Sequence, residues 1–168
     1  MSAGGPASVD LARLTDELES LFDGATVYVD RRTGDVVTLM DSDVGAIEDG
    51  ETDFEPEGGD EILPLFHEIV ETTHWVAMPD KFEIDEWQIM SDFADAIPDR
   101  IGDELARAIR GRGAFRMFRD AIYRHEIQDD WFEFKRKAME RIAIRALEAK
   151  DIPYHRRPHP KFRESAER

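Results

Sequence analysis

Thr26-Val-Tyr-Val29, Asp30-Arg-Arg-Thr-Gly34 and Val36-Val-Thr-Leu39 together read as a β-hairpin. Two short β-branched runs flank a turn whose Gly34 supplies the positive φ that a hairpin needs. Downstream, His74-Trp-Val-Ala-Met78 reads as another strand, closed by Pro79. Added to the hairpin it makes three antiparallel strands, the smallest sheet that is stable when helices cover it.

N-terminal to the hairpin, Ser8 is an expected N-cap for a helix carrying Leu11, Leu14, Leu18 and Leu21, with Gly24 as its stop. Residues 1–7 are expected to be flexible. Asp41 to Glu61 holds ten acids and no Lys or Arg, a composition expected of a solvated, mobile connector. A helix with Leu63, Phe66 and Val70 on one face, and Pro64 in its first turn, follows as far as Thr73.

Beyond the third strand every pattern is helical. Phe82 to Ile97 carries Trp87, Met90, Phe93 and Ile97 before Pro98, and Asp99 to Arg110 carries Ile101, Leu105 and Ile109 before Gly111. Gly113 to Arg124 places Ala114, Phe118, Ala121 and Ile122 on one stripe. Asp129 is the expected cap of a long last helix with Trp131, Phe134, Ala138, Ile142 and Ala146 inward. Residues 155–168 contain two prolines and no apolar pattern, and read as a disordered basic tail. The expected fold class is α+β: a small antiparallel three-stranded sheet packed on a mainly helical C-terminal bundle, one domain over residues 8–154.

The 168 residues suit one domain with its own core. No cysteine is present, which excludes disulfides, thiolate nucleophiles and cysteine-held metals. The first ten residues lack a basic start and an apolar run, and no stretch approaches the ~20 apolar residues of a membrane span. A cytoplasmic protein without a membrane partner is expected. Charge divides along the chain: residues 1–98 hold 4 Lys/Arg and 25 Asp/Glu, residues 99–168 hold 18 and 13, and the whole carries −16. Overall that charge opposes nucleic acid and anionic membrane, but the second half alone is basic.

Several segments occur in an order shared with a known family. They are Tyr28-x-Asp30-x-x-Thr33-Gly34, the acidic connector, Ala77-Met78-Pro79 and Ile89-Met90-Ser-Asp-Phe93. Gly111-Arg-Gly-Ala-Phe115-Arg116-Met-Phe118-Arg119-Asp120 and Trp131-Phe132-x-Phe134-Lys135 follow. Over about residues 11–152 the chain resembles the uncharacterised protein family numbered 0158, found mainly in bacteria. The resemblance implies one α+β domain and carries no activity, substrate or catalytic residue. One local departure is Ala146-Leu147, where the family has Trp-Leu near the end of the last helix.

The strongest candidate site is the arginine cluster Arg110, Arg112, Arg116, Arg119 and Arg124. On a helix Arg112, Arg116 and Arg119 would share a face. Backbone N–H groups after Gly113 would add to an anion site there. Phe115 beside them offers a stacking platform for a base or a partner side chain. The competing reading pairs these arginines with the acidic first half of the same chain, which offers many carboxylates.

Other constellations are weaker. Asp41-x-Asp43-x-Gly45 opens like a calcium loop, but Ala46 and Thr52 stand where the sharp turn and the bidentate Glu belong. His67, His74 and His125 are the available general bases, and none lies in a catalytic or metal-binding motif. Phosphate-loop, dinucleotide and nucleophile-elbow patterns do not occur. Trp75, Trp87, Phe93, Phe118, Trp131 and Phe134 read as core, while Phe115 and Phe132 lie off those stripes. The expectation is a non-enzymatic binding or regulatory protein, with no cofactor or metal, that holds an acidic protein or nucleic acid on Arg112, Gly113, Phe115, Arg116 and Arg119. The alternatives are a hydrolase or transferase using histidine and carboxylates, with or without a metal ion, and a purely structural subunit.

Overall fold

The computed structural model describes residues 7–156 apart from 52, 54 and 57. The hairpin is present and longer than its β-branched runs: β2 spans Ala25–Asp30 and β3 spans Val36–Met40, with Val29 opposite Val36. Strand β4, Trp75–Ala77, lies antiparallel on the other side of β2, so the order is β3-β2-β4. The three-stranded antiparallel sheet and the α+β class are as expected from the sequence.

Alternation along the strands gives the sheet two apolar faces. Ala25, Val27, Val29 and Val76 face the main core, together with Leu14, Leu18, Phe93 and Leu105. Tyr28, Val37, Leu39 and Trp75 face a second, smaller core built on Val44, Phe66 and Ile69. The sheet is therefore covered on both sides, by two separate apolar clusters.

The second cover comes from the acidic connector, and here the expectation of a solvated, mobile run is corrected. Helix α2 spans Asp41–Glu48, and Val44 and Ala46 are buried. Asp41 and Asp43 stand in its first turn, where the helix dipole favours negative charge, and Val44 and Ile47 reach the small core. Helix α3, Leu63–Glu71, completes that layer after a single 3-10 turn at Asp60–Ile62.

The first and last described strands, β1 (Val9–Asp10) and β5 (Tyr154–His155), pair in a short parallel ladder. This displaces the expected cap of the first helix. Because Val9 and Asp10 are extended, α1 begins at Leu11 and runs to Glu19, capped by Asp10, which accepts the N–H groups of Ala12 and Arg13. Ser8 instead meets His155, Oγ to Nδ1 at 2.6 Å. His155 is thus part of a strand and not of a disordered tail. The expectations for residues 1–6 and 157–168 lie outside the described residues.

The helical half follows the periodicities with two adjustments. The expected single helix from Phe82 is two, α4 (Lys81–Ile84) and α5 (Glu86–Ala96). Asp80 and Glu83 form a capping box on the first, and Asp85 at φ 53° caps the second through the Gln88 N–H. Then come α6 (Asp99–Ala108), α7 (Ala114–Arg124) and α8 (Gln128–Ala149). Asp129 lies within the first turn of α8 and is not its cap.

Phe93, Phe118, Trp131 and Phe134 pack edge-on or tilted, with ring centroids 4.9–6.3 Å apart. Trp87 is the exception among the expected core aromatics. It is 41% exposed, and its indole N–H donates to the Ile109 carbonyl at 2.9 Å.

Candidate functional site

Gly113, at φ +71°, turns the chain into α7 and leaves that helix without a side-chain cap. Arg112 belongs to this turn, so the expected three-arginine helix face is reduced to Arg116 and Arg119, with Arg112 just ahead of them. All three side chains are exposed, and among the described residues none joins an ion pair. Among the described residues, pairing with the acidic half does not account for them. It does account for Arg32, which meets Asp30 and Glu68, and for Arg136, which meets Asp16 and Glu19. Arg124 is taken by Glu104 of α6.

Two adjoining clefts open beside α7. The larger, about 530 Å³, lies among α1, α4, α5, α7 and α8, and its floor includes Leu18, Ile84 and Met139. The smaller, about 130 Å³, lies over the aromatic cluster and is edged by Tyr123 and Phe132. Glu86, Phe115, Arg119 and Lys135 line both, so these four residues form the wall between them. Residues 115, 119 and 123 recur every four positions along α7, which stacks Phe115, Arg119 and Tyr123 on one ridge. Phe115, Tyr123 and Phe132 are each about half exposed.

The ionic lining of the larger cleft is mixed. Lys135 pairs with Glu86 at 2.8 Å, and Glu19 is held by Arg136 from outside at 3.1 Å. Lys81, Arg119 and Asp23 have no ion-pair partner among the described residues. Among the described residues the wall thus presents an unpaired guanidinium and an ammonium paired with Glu86, between aromatic faces. It can take a carboxylate or other anion whose neighbouring group is apolar.

Phe115 and Arg119 are expected from the sequence but Lys81, Glu86 and Lys135 are not, and the expected Arg112, Gly113 and Arg116 line neither cleft. A signal for Lys135 was present, since it closes the Trp131-Phe132-x-Phe134-Lys135 segment. Phe118, Trp131 and Phe134 of those segments serve the core, while Phe115, Arg119, Phe132 and Lys135 surround the clefts. Lys81 and Glu86 could not be found because nothing in the chain says that α4 and the start of α5 face α7.

The histidines do not assemble. His67 is an exposed partner of Glu71 on α3 at 3.4 Å, and His74 lies in the turn before β4, where its carbonyl accepts the Arg31 N–H. His125 caps α7 and its Nε2 lies 2.6 Å from Glu104. Among the described residues no group of three or more acids and histidines is placed to hold a metal ion, and no helix is long and apolar enough to cross a membrane.

No curated protein and no solved structure matches this chain. A family model does, over residues 5–164, nearly the whole sequence. The chain belongs to the uncharacterised protein family UPF0158.

Proposed function

We propose that this protein is a non-catalytic binding or regulatory protein that holds an acidic segment of a partner protein across the paired clefts. The observation that carries the reading is the wall itself: Arg119, exposed and without an ion-pair partner among the described residues, between Phe115 and Tyr123 and beside Phe132 and Lys135. Exposed aromatic side chains next to arginine are the composition of interface anchors. An acidic protein segment suits the surface better than nucleic acid. Glu19, Asp23 and Glu86 line the same cleft, and the chain's charge of −16 opposes a long polyphosphate. A short segment needs only the local cationic wall.

The test reverses Arg112, Arg116 and Arg119 to Glu together. Stability is expected to stay within about 1 kcal/mol, as for other exposed positions. Affinity purification with the native chain is expected to recover a specific acidic partner that is lost with the reversed variant and released by salt. Salt-sensitive binding of labelled RNA or DNA that disappears in the same variant would replace the protein partner with nucleic acid.

A hydrolase or transferase reading has one geometric feature in its favour, the contact between His125 and Glu104 beside a cleft of about 400 Å³ that Glu104 and Arg124 line. The Glu104 carboxylate is shared between His125 and Arg124, an arrangement that equally serves to tie α6 to α7. A rise in melting temperature with Mg²⁺, Mn²⁺ or Zn²⁺, abolished by Glu104→Gln, would favour the enzyme.

A further inference from the structure

Glu86 and Lys135 are 2.8 Å apart, each only 24% exposed, and both stand in the wall that divides the clefts. Arg119 stands in the same wall and has no carboxylate among the described residues. One cation of the wall is thus occupied by an acid from its own chain and the other is not. We propose that Glu86 is an internal competitor for the partner's carboxylate: the partner's acid displaces Glu86 from Lys135 and is held by Lys135 and Arg119 together. This rests on the binding reading above.

The exchange is made easy by where Glu86 sits. It is the first residue of α5, where the exposed N–H groups and the helix dipole favour a carboxylate even without an ammonium beside it. Releasing Lys135 therefore leaves Glu86 with a second favourable environment. Lys135 projects from α8 on a flexible four-carbon stem and can change partners without moving the helix. Phe115 and Phe132, half exposed on either side, set the second requirement. The ligand is a protein segment with an aromatic or aliphatic side chain close to a Glu or Asp. Binding is then self-limited, because the site already holds a carboxylate.

The experiment measures fluorescence anisotropy of a labelled synthetic peptide, Asp-Glu-Phe-Glu-Asp-Leu-Glu, against the full chain. Glu86→Gln keeps the shape and removes the competing charge, and is expected to tighten binding about fivefold, the upper end for a partly exposed pair. Glu71→Gln removes the same charge from exposed α3 and is expected to leave binding unchanged. Arg119→Glu and Lys135→Gln are expected to weaken it. Glu86→Asp, which shortens the reach by one carbon, is expected to fall between native and Glu86→Gln, and keeps the idea testable should Glu86→Gln melt early.

Tightening by Glu71→Gln equal to that of Glu86→Gln would reduce the effect to net charge and overturn the competitor. So would equal affinities for native, Glu86→Gln and Glu86→Asp; continued loss in Arg119→Glu would then leave the binding reading standing. Absence of binding to both native and Glu86→Gln would overturn the two together.

Discussion

Gly34 lies against the backbone of Ser8 so closely that a Cβ on residue 34 would fall 2.3 Å from the Ser8 carbonyl oxygen. Its φ is also +81°, a conformation that side chains resist. The hairpin turn is thus pressed against the start of the strand that pairs with β5. Gly34→Ala is expected to cost about 3 kcal/mol or more, combining backbone strain with a clash against atoms that cannot rotate away. Gly24→Ala separates the two effects, because φ there is +87° but nothing lies within 4 Å of the added carbon. It is expected to cost about 1 kcal/mol. Equal losses in urea denaturation would show that the Ser8 contact contributes nothing.

Asp30 holds the other end of that turn, where its carbonyl accepts the Gly34 N–H at 2.8 Å. Its carboxylate, 2% exposed, accepts the Arg32 backbone N–H at 2.8 Å and the Arg32 guanidinium at 3.1 and 3.3 Å. Burial pushes its pKa upward, but the hydrogen bonds and charge of Arg32 outweigh burial and hold the group below the ordinary carboxylate value. A depressed folded pKa stabilises the fold above the unfolded value of about 3.9 and loses that stabilisation as pH falls through the lower folded value. Asp30→Asn is expected to lose about 1–3 kcal/mol at neutral pH. In denaturation curves taken from pH 7 downward, the gap to the native chain should narrow below about pH 4. A constant gap would remove the charge from the explanation.

Helix stripes and the hairpin were legible in the sequence because each is a local pattern: Leu14 and Leu18, Val27 and Val29, Phe118 and Ile122 sit where periodicity puts them. What escaped depends on distant partners. Helix α2 looked like solvated acid because its Asp and Glu residues outnumber Val44 and Ile47, and only the β3 face, with Leu39 beside Phe66, makes those two worth burying. Ser8 looked like a cap because the pairing of Val9 with Tyr154 is invisible at short range. The arginine ridge was half legible. Arg119 followed from spacing, but the Gly113 turn removed Arg112 from the helix, Arg116 lines neither cleft, and Lys135 and Glu86 came from elements whose approach to α7 is a tertiary fact.

Phe115 and Phe118 are three residues apart and should behave oppositely. Phe118 is fully buried against Phe93 and Trp131, with the Trp131 ring centroid at 4.9 Å. Phe118→Ala is expected to cost about 3–5 kcal/mol through lost contacts and a cavity. Phe115, half exposed at the cleft wall, should cost about 0.5 kcal/mol or less as alanine. The same Phe115→Ala change should weaken binding of the acidic peptide. A large stability loss at Phe115 would make it a core residue and remove it from the site.

Arg136 joins α8 to α1 through Asp16 at 2.6 Å and Glu19 at 3.1 Å, so that, as with Lys135 and Glu86, a residue of the basic half meets acids of the other half. Burial works to lower its pKa, but hydrogen bonding and charge from Asp16, then Glu19, outweigh that and raise it. Its side chain is 40% exposed, so water screens much of the attraction. A double-mutant cycle of Arg136→Gln with Asp16→Asn is expected to give a coupling of about 1 kcal/mol or less at low salt. The coupling should approach zero at about 1 M salt, where the Debye length shrinks to about 3 Å. Thr38 provides the contrast, since its hydroxyl donates to Glu17 at 2.7 Å and ties the same helix to β3 through a hydrogen bond to a fixed strand. A Thr38→Val loss that persists at high salt, beside an Arg136 coupling that does not, would assign the seating of α1 on the sheet to hydrogen bonding and leave the ion pairs to orient α8.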